Sequence, residues 1–371
     1  MSQRRERVAV VHDWLTGMRG GEMVLEQILR AVPDAEIFTL FHFPGSVSPA
    51  IEARPIHTSS LQGAPGVRHW YRWYLPFFPR AIESFDLSGF DRVISSSHCV
   101  AKGAIAAPGA DHLCYCHTPV RYAWDQEDAY FPGRRGPLGR IRSAMLARLR
   151  RWDVATAIRP RRILANSRFV AERIRRYWSR DAEVLHPPVD TEYFTPGEGE
   201  SGSYVLAVSA PAPYKRVEVA ARACAAAGIE LRVVGIAPDS PAARNAGAPA
   251  TWLGRVDRDR LRALYRGAVA FVQPGIEDFG ISAVEALACG TPIAAVGAGG
   301  VCDIVTEPAL GVLYSVDERD GLSGALDKIQ QNRFNKMKLR AQAETFSNAR
   351  FLEKFERVLA SPMPVPEGRI A

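Results

Sequence analysis

One stretch, residues 271–295, constrains the fold of this chain more than any other: FVQPGIEDFGISAVEALACGTPIAA. The apolar residues at its start and the run 292–296 at its end predict two buried strands. Between them lie a turn that contains proline and glycine and a short helix over residues 281–289, which a glycine ends. The order strand, turn, helix, strand predicts a parallel α/β sheet.

The predicted helix is apolar on nearly every side, and Glu285 is the exception. An ionised carboxylate in such a place is costly unless it is paired, and nothing close to it in the sequence offers a partner. The helix begins at Phe279, Gly280 and Ile281, where free backbone N–H groups and the positive end of the helix dipole favour a phosphate. Glu277, beside this position, can accept hydrogen bonds from hydroxyl groups.

The length of 371 residues predicts two domains, and 47% apolar with 23% charged residues is typical of a soluble globular protein. The sequence has no run of roughly 18 apolar residues that would span a membrane, and its amino terminus lacks the features of a signal peptide. We therefore expect a cytoplasmic protein. Its six scattered cysteines predict reduced thiols.

The net charge of +7 is unevenly distributed, because residues 134–180 contain fifteen arginines, from Arg134 and Arg135 to Arg180, and only two acidic residues. Four apolar residues within this stretch recur at helical spacing and predict one apolar helix face: Ile141, Met145, Leu149 and Trp152. The excess of arginine favours an anionic partner. Nucleic acid, an acidic membrane surface and a diphosphate ligand all fit this description.

A second unusual segment, residues 68–85, reads RHWYRWYLPFFPRAIESF and interleaves aromatic rings with arginines. This composition suits a segment that lies among lipid headgroups. It also suits a stacking surface for nucleic acid, or ordinary core packing. The three interpretations remain open at the level of sequence.

The first strand, residues 7–11, continues into HDWLTGMRGG and then into a helix. Gly20 and Gly21 allow backbone N–H groups to approach an anionic or sugar ligand closely. The loop is neither a P-loop nor a dinucleotide fingerprint. Another polar edge is predicted where the strand before residues 95–98, SSSH, ends.

Two sequence patterns contain residue types that bind metal ions, but neither pattern predicts a metal site. Residues 112–117, HLCYCH, have the wrong spacing for a zinc site, so a strand with two buried thiols is the preferred interpretation. The Asp-x-Asp pattern at residues 257–259 opens a predicted helix, where acidic residues serve as caps. We therefore expect no metal.

Glu277 and Glu285, seven residues apart within EDFGISAVEALACGTPI, resemble the signature of the retaining nucleotide-sugar glycosyltransferases of family four. The resemblance implies the GT-B fold, an α/β architecture with two Rossmann-like, doubly wound domains that face each other across a cleft. It implies an acceptor-binding domain over 1–194, a linker over 195–202, a nucleotide-sugar domain over 203–347, and a helix with a tail over 348–371 that crosses back.

The same resemblance assigns roles to residues of the second domain. It implies that Glu285 binds the ribose and that Glu277 binds sugar hydroxyls. Lys215, in PYKR, would stabilise the departing diphosphate together with the backbone amides of residues 279–281. The backbone at Arg255 and Val256 would hold the nucleotide base.

In the first domain, the resemblance places Gly20 and Gly21 against the donor diphosphate and the acceptor. It places His117, in the context HTP, close to the transferred sugar and the diphosphate. His117, Glu277 and Lys215 are thus the expected catalytic residues. Asn166 and Ser167 resemble an Asn-Ser element that the family carries near its cleft.

The chain departs from the family at Ala210, where a second phosphate-binding arginine is usual. Arg216, or an arginine of the other domain, would have to replace that contact. Neither a cofactor nor a divalent metal is implied, because fixed positive groups neutralise the leaving diphosphate.

The elements HDWLTGMRGGE, SSSH and PYKR resemble most the bacterial mannosyltransferases of surface-polysaccharide assembly. This resemblance implies GDP-mannose as the donor, a lipid-linked or saccharide acceptor, and a peripheral position on the anionic inner face of the cell membrane. The alternatives are another GT-B enzyme such as an epimerase, and a sugar-nucleotide-binding protein with weakened catalysis. A nucleic-acid-binding protein is a further competitor, but we expect no nucleic acid partner.

Overall fold

A computed structural model describes residues 5–125, 127, 136–200, 203–318 and 320–362. The chain forms two compact units. The first contains Met1–His186 together with Phe351–Ala371, and the second contains Pro187–Arg350. Residues 187–194, which the sequence resemblance placed in the first domain, fall in the second unit, where Val189 and Phe194 are buried in the core.

The first unit is built on a seven-stranded parallel sheet with the order β3-β2-β1-β4-β5-β6-β7. Its strands are β1 (Val8–His12), β2 (Glu36–Thr39), β3 (Ile56–Thr58), β4 (Arg92–Ser97), β5 (Asp111–Cys116), β6 (Arg162–Ala165) and β7 (Glu183–Val184). The strand order reverses between β1 and β4. In open parallel sheets, ligands bind outside the carboxyl ends of the strands at such a reversal.

Helices cover this sheet. Those within the described residues are Gly20–Ala31, Pro49–Glu52, Val67–Trp70, Phe78–Glu83, Pro137–Thr156, Arg168–Trp178 and the last helix, Asn348–Ala360; short 3-10 turns lie at Ser60–Gly63, Tyr71–Phe77 and Ala101–Gly103. The last helix buries Phe351, Phe355 and Val358 in the core of the first unit. Residues 363–371, the predicted tail, lie outside the described residues.

The second unit has a six-stranded parallel sheet with the order β10-β9-β8-β11-β12-β13, which reverses between β8 and β11. Its strands are β8 (Tyr204–Val208), β9 (Glu230–Val234), β10 (Thr251–Gly254), β11 (Ala270–Gln273), β12 (Ile293–Val296) and β13 (Gly311–Tyr314). Its helices are Val217–Ala226, Pro241–Arg244, Arg258–Gly267, Ile281–Ala288, Val301–Ile304, Gly321–Gln331 and Lys336–Glu344, and a 3-10 turn lies at Pro213–Lys215. Residues 201 and 202 of the predicted linker lie outside the described residues.

The strand, turn, helix and strand predicted from the opening stretch are confirmed as β11, the helix Ile281–Ala288 and β12. The helix is buried because its residues from Ala283 onward are apolar apart from Glu285. The predicted cap at the next helix back is confirmed too: the Asp257 carboxylate accepts the Arg260 N–H at 2.7 Å.

The arginine-rich stretch forms the helix Pro137–Thr156, and Arg134 and Arg135 lie outside the described residues. Leu149 is buried, and Met145 and Trp152 pack partly against the same core. The predicted apolar face is wrong at Ile141, which is 67% exposed, because the buried stripe passes through Leu146 instead.

A buried ion pair anchors this helix. Lys102 Nζ lies 3.0 Å from Asp153 Oδ1, and both side chains are fully buried. The other carboxylate oxygen of Asp153 accepts the indole N–H groups of Trp124 and Trp178 at 2.8 and 2.7 Å. The charges are tolerated because each is surrounded by hydrogen-bonding or aromatic partners.

The aromatic segment divides into inward and outward residues. Tyr71, Leu75 and Phe78 are buried, which agrees with core packing. Trp70, Trp73 and Phe77 are 64%, 84% and 58% exposed. Among the described helices, none combines the length and the hydrophobicity that crossing a bilayer requires.

Candidate active site

In the second unit, the expected donor-binding residues gather where the sheet order reverses. Lys215 ends the 3-10 turn that follows β8, and Glu277 lies in the turn that follows β11. Because β8 and β11 are neighbours, the two side chains meet: Lys215 Nζ is 2.6 Å from Glu277 Oε1. Both side chains are about one-fifth exposed, at 17% and 21%.

Two glycines allow the turn after β11 to lie this close. A Cβ on Gly275 would be 2.1 Å from the carbonyl oxygen of Tyr214 and 2.8 Å from the Cα of Lys215. Gly280 has a φ of 106° and begins the helix Ile281–Ala288. A Cβ there would lie 2.7 Å from Gln273 Oε1. The backbone of the turn therefore sits where side chains would exclude it.

The partner that the buried Glu285 requires is Tyr265, which lies on another helix. The phenol of Tyr265 donates to Glu285 Oε2 at 2.8 Å, and Glu285 is 7% exposed. Burial raises the pKa of Glu285 to about 7, although the Tyr265 hydrogen bond and the charge of Arg258 act in the opposite direction. Glu285 thus gains and loses its proton near neutral pH.

The remaining residues expected in this site are more dispersed. Phe279 is buried, and Ile281 packs partly against the same core. Arg216 is exposed with a left-handed backbone, φ 49°, and Ala210 is exposed. Beyond β10, Arg255 is exposed, whereas Val256, named in the same prediction, packs partly against the core.

In the first unit, three histidines lie at the carboxyl ends of three neighbouring strands: His12 ends β1, His98 follows β4 and His117 follows β5. Ser96 connects two of them. Its Oγ lies 3.1 Å from His12 Nδ1 and 2.8 Å from His117 Nε2. Burial lowers the pKa of His117 well below its usual value, and the charges of His98 and His12 add to this effect.

Asp13 holds the loop that carries His98. Its buried carboxylate accepts four backbone N–H groups, those of His98 and Cys99 on Oδ2 and those of Val100 and Ala101 on Oδ1, at 2.6–2.9 Å. His98 Nδ1 is 3.2 Å from Oδ2. The position of the His98 ring is therefore fixed by a residue at the end of the neighbouring strand.

The HTP element is held from the side of β6. Asn166 Nδ2 donates to the carbonyl oxygen of His117 at 2.9 Å, and the Arg173 guanidinium donates to the Thr118 hydroxyl. Ser167 caps the helix Arg168–Trp178 by accepting the Val170 N–H. The Asn-Ser element therefore positions the backbone of the expected catalytic histidine.

Gly20 and Gly21 begin the helix Gly20–Ala31. A Cβ on Gly21 would meet His12 Cε1 at 3.7 Å and His117 at 3.9 Å, which is ordinary contact distance. The glycine loop thus lies against the histidines. The structure brings Gly21 and His117 together within the first unit, and Lys215, Glu277 and Gly280 together within the second.

Sequence reasoning missed His12, Asp13, Glu22 and Tyr265 as members of these clusters, whereas Ser96 and His98 lie in the polar edge predicted at residues 95–98. The first three were detectable in principle, because His12 and Asp13 stand at or beside a predicted strand end and Glu22 follows the glycine pair. Tyr265 had no local signal, since it lies on another helix.

No group of three or more His, Cys, Asp or Glu side chains in the described part of the chain could hold a metal ion. Cys114 and Cys116 are buried thiols of β5, as predicted, and burial raises the pKa of Cys114 to about 12. None of the six cysteines, all of which lie within the described residues, forms a disulfide bond.

Comparison with known families agrees with this architecture. The model of the glycosyl transferases group 1 matches residues 190–347, and the model of glycosyltransferase family 4 matches residues 18–193. Each of the two units is thus covered by a glycosyltransferase model. The chain belongs to the group 1 glycosyltransferases of the GT-B type.

Among curated proteins, the D-inositol 3-phosphate glycosyltransferase of Mycolicibacterium gilvum is 28% identical over 170 residues, 40% of this chain and 38% of the relative. The enzyme of the same name from Mycobacterium avium is 31% identical over 167 residues, 39% of each chain. The matched region thus spans well under half the length of these relatives.

Solved structures extend the likeness to nearly the whole fold. Sucrose-phosphate synthase from Thermosynechococcus elongatus has a TM-score of 0.73 at 19% identity, with 96% of this chain and 98% of that chain covered. Anabaena HepE in complex with UDP and glucose has a TM-score of 0.69 at 14% identity, with 96% and 100% covered. These likenesses confirm the GT-B architecture of two parallel-sheet α/β domains. The curated relatives above are D-inositol 3-phosphate glycosyltransferases, so they do not support the more specific resemblance to mannosyltransferases.

Proposed function

We propose that this protein transfers a hexose from a nucleotide diphosphate sugar to an acceptor hydroxyl, with retention at the anomeric carbon. The observation that carries the proposal is the pairing of Lys215 with Glu277 beside the Gly280 helix start. In this proposal Lys215 moves to the diphosphate, where an ammonium acts as a point charge. Glu277 is then free to accept hydrogen bonds from the sugar.

Glu285 is the proposed ribose ligand, and its position about one turn into a buried helix fits a group that needs a polar partner. The backbone amides at the start of the same helix face the proposed diphosphate position. No metal ion is needed in this scheme, because Lys215 and the helix dipole stabilise the departing negative charge.

The proposed donor is GDP-mannose, on the strength of the sequence elements HDWLTGMRGGE, SSSH and PYKR. The proposed acceptor is a lipid-linked or saccharide hydroxyl of a surface polysaccharide. Because HepE was solved with UDP and glucose, UDP-glucose is the comparison donor for any assay.

The test is incubation of the protein with labelled GDP-mannose or UDP-glucose and a membrane extract. Transfer of label into lipid or saccharide with release of nucleotide supports the proposal, and the anomeric configuration of the product, read by NMR, decides retention. Glu277→Ala and Lys215→Met should each abolish most of the transfer. Lys338→Met, which removes an exposed lysine of the same unit, is the matched control.

A second candidate is a sugar-nucleotide-binding protein with weakened catalysis, which Ala210 favours because the family's second phosphate contact is missing there. Donor binding by calorimetry without turnover would support this candidate. Formation of a new nucleotide sugar without an acceptor would instead indicate an epimerase.

We also propose that the protein works at an anionic membrane surface. The support is the exposed segment with Trp70, Trp73 and Phe77, in which Arg72 and the preceding Arg68 are exposed as well. Aromatic rings at headgroup depth and arginines that meet anionic lipid are the combination that holds an interfacial segment. The helix Pro137–Thr156 contributes further exposed arginines on the same unit.

Sedimentation with vesicles tests this part of the proposal. Binding to vesicles that contain phosphatidylglycerol, weakened by added salt and by Trp73→Ala, is the expected result. Met337→Ala, which removes an exposed apolar side chain of the second unit, should leave binding unchanged. If Trp73→Ala binds these vesicles as well as the wild-type protein does, the segment with Trp70, Trp73 and Phe77 does not hold the protein at the membrane.

A further inference from the structure

A continuous row of polar side chains runs beneath the glycine loop of the first unit. It consists of Glu22, His12, Ser96 and His117. His12 is fully buried, Ser96 is fully buried, and Glu22 is 3% exposed. Glu22 Oε1 lies 3.8 Å from His12 Nε2, which is an electrostatic contact and too long for a hydrogen bond. Two hydrogen bonds complete the row, between His12 Nδ1 and Ser96 Oγ at 3.1 Å and between Ser96 Oγ and His117 Nε2 at 2.8 Å.

Glu22 is ionised in this setting. Burial by itself raises the pKa of Glu22, but its interactions with His12 and His98 and a backbone hydrogen bond outweigh burial and lower it. Its second oxygen, Oε2, accepts the Arg19 N–H at 3.0 Å in a capping box at the helix start. Glu22 is therefore fixed in orientation, with Oε1 toward His12.

With His12 neutral, this geometry determines where each proton lies. A neutral imidazole carries one N–H and one acceptor nitrogen. An anionic oxygen beside His12 Nε2 favours the proton on that nitrogen, which leaves His12 Nδ1 as an acceptor for the Ser96 hydroxyl. A hydroxyl that donates to His12 can only accept from His117, so the proton of His117 lies on Nε2.

We propose that Glu22 acts through His12 and Ser96 to fix the tautomer of His117, so that His117 presents Nδ1 as a hydrogen-bond acceptor. Glu22, His12 and Ser96 are positioning residues in this scheme. With His12 neutral, the tautomer of His117 follows from the contacts in this row. Its use, acceptance of a hydrogen bond from a sugar or acceptor hydroxyl, rests on the proposed function.

The ring of His117 stays neutral in this environment, because burial and two neighbouring histidines oppose its protonation. A neutral acceptor suits a hydroxyl partner, whereas an imidazolium would offer only donors. In proteins generally, the hydrogen bond made by one histidine ring nitrogen determines whether the other nitrogen carries the proton.

The test uses protein labelled with ¹⁵N-histidine, with the signals of His117 assigned by comparison with His117→Gln. The wild-type protein should show Nε2 protonated and Nδ1 bare. In Glu22→Gln, the amide oxygen keeps the Arg19 N–H and the neutral NH₂ group, a donor, faces His12 Nε2. The negative charge that favours a proton on His12 Nε2 is then gone, so both hydrogen bonds of the Ser96 hydroxyl should reverse direction. The His117 proton should move to Nδ1.

Ser96→Ala breaks the row, and in that background Glu22→Gln should no longer change the His117 signals. Ser96→Thr keeps a hydroxyl and should preserve the wild-type tautomer. A wild-type His117 with the proton on Nδ1, or a folded Glu22→Gln protein with unchanged His117 signals, would overturn the proposal.

Activity gives a second and separate readout. Glu22→Gln should lower kcat about tenfold, the effect of roughly one misdirected hydrogen bond, with little change in the KM for the donor. If the protein shows no transfer at all, the proposed function fails, and the NMR result still decides the tautomer.

Discussion

The backbone N–H of Gly300 donates to the carbonyl oxygen of Glu277 at 2.9 Å. A Cβ on Gly300 would lie 2.3 Å from the carbonyl oxygen of Asp278, and one on Gly299 would lie 2.5 Å from that of Glu277. The two glycines, which follow β12, therefore pack against the turn that carries Glu277.

Gly300→Ala should destabilise the protein and displace this turn, because backbone atoms on the opposite side cannot yield as a flexible side chain would. We expect a loss of roughly 1–3 kcal/mol in the free energy of unfolding, measured in urea. Gly324→Ala is the control: a Cβ there meets nothing within 4 Å, and alanine is the better helix former, so that variant should be as stable as wild type or slightly more stable.

Glu285 should make stability depend on pH. Its folded pKa of about 7 lies above its usual 4.5, so the folded protein binds the extra proton between these values. This contribution is present in full below pH 4.5 and is lost as pH rises through 7, because the buried carboxylate must then ionise. The loss is at most about 3 kcal/mol.

Urea unfolding at pH 5 and pH 8 measures this effect. Glu285→Gln, whose amide oxygen still accepts from Tyr265, should remove that part of the pH dependence. Tyr265→Phe should shift the decline to higher pH, because the Tyr265 hydrogen bond holds the pKa of Glu285 down. The same pH dependence in wild type and Glu285→Gln would contradict the raised pKa.

Lys102→Met should be strongly destabilising, since it leaves the buried carboxylate of Asp153 without its cation. A loss of about 3–5 kcal/mol is typical when one partner of a buried pair is removed. Lys338→Met breaks the exposed pair with Glu307 and should cost less than about 1 kcal/mol. Similar losses in both variants would argue against a special role for the buried pair.

Asp13→Asn should loosen the loop at residues 98–101. An amide presents one NH₂ group toward two backbone donors that now share a carboxylate oxygen, so those donors lose their acceptor. Hydrogen exchange of the four amides should accelerate by at least about tenfold. Asp86→Asn, at a solvent-accessible turn, should leave exchange at the loop unchanged. Unchanged protection in the Asp13 variant would show that the loop is held by other contacts.

The sequence predicted best those features that are written in consecutive residues. The strands and helix of residues 270–296 follow from apolar runs and glycine punctuation, and Asp257 follows from its place before a helix. The partner of Glu285 could not be predicted, because Tyr265 reaches it from a helix 20 residues earlier. The prediction for Ile141 is wrong because the buried face of its helix is rotated by about one residue relative to the predicted face, so that Leu146 is buried instead.

The row of Glu22, His12, Ser96 and His117 was only partly predictable from the sequence. Each member is visible in the sequence as a polar residue near a strand end, but their distances depend on the strand order β1-β4-β5, which places residues 12, 96 and 117 side by side. Sheet order is a tertiary property, and local patterns do not encode it.

The contact between Lys215 and Glu277 has a consequence for how tightly substrate and products are held. In the proposed function, an intact donor exchanges one pair of opposite charges for two new interactions, phosphate with Lys215 and hydroxyls with Glu277. A nucleoside diphosphate alone would bind Lys215 and leave the Glu277 carboxylate without a partner. A free sugar would bind Glu277 and leave the Lys215 ammonium without one. Each fragment therefore competes against the re-formed ion pair, which favours departure of the products once the glycosidic bond is broken.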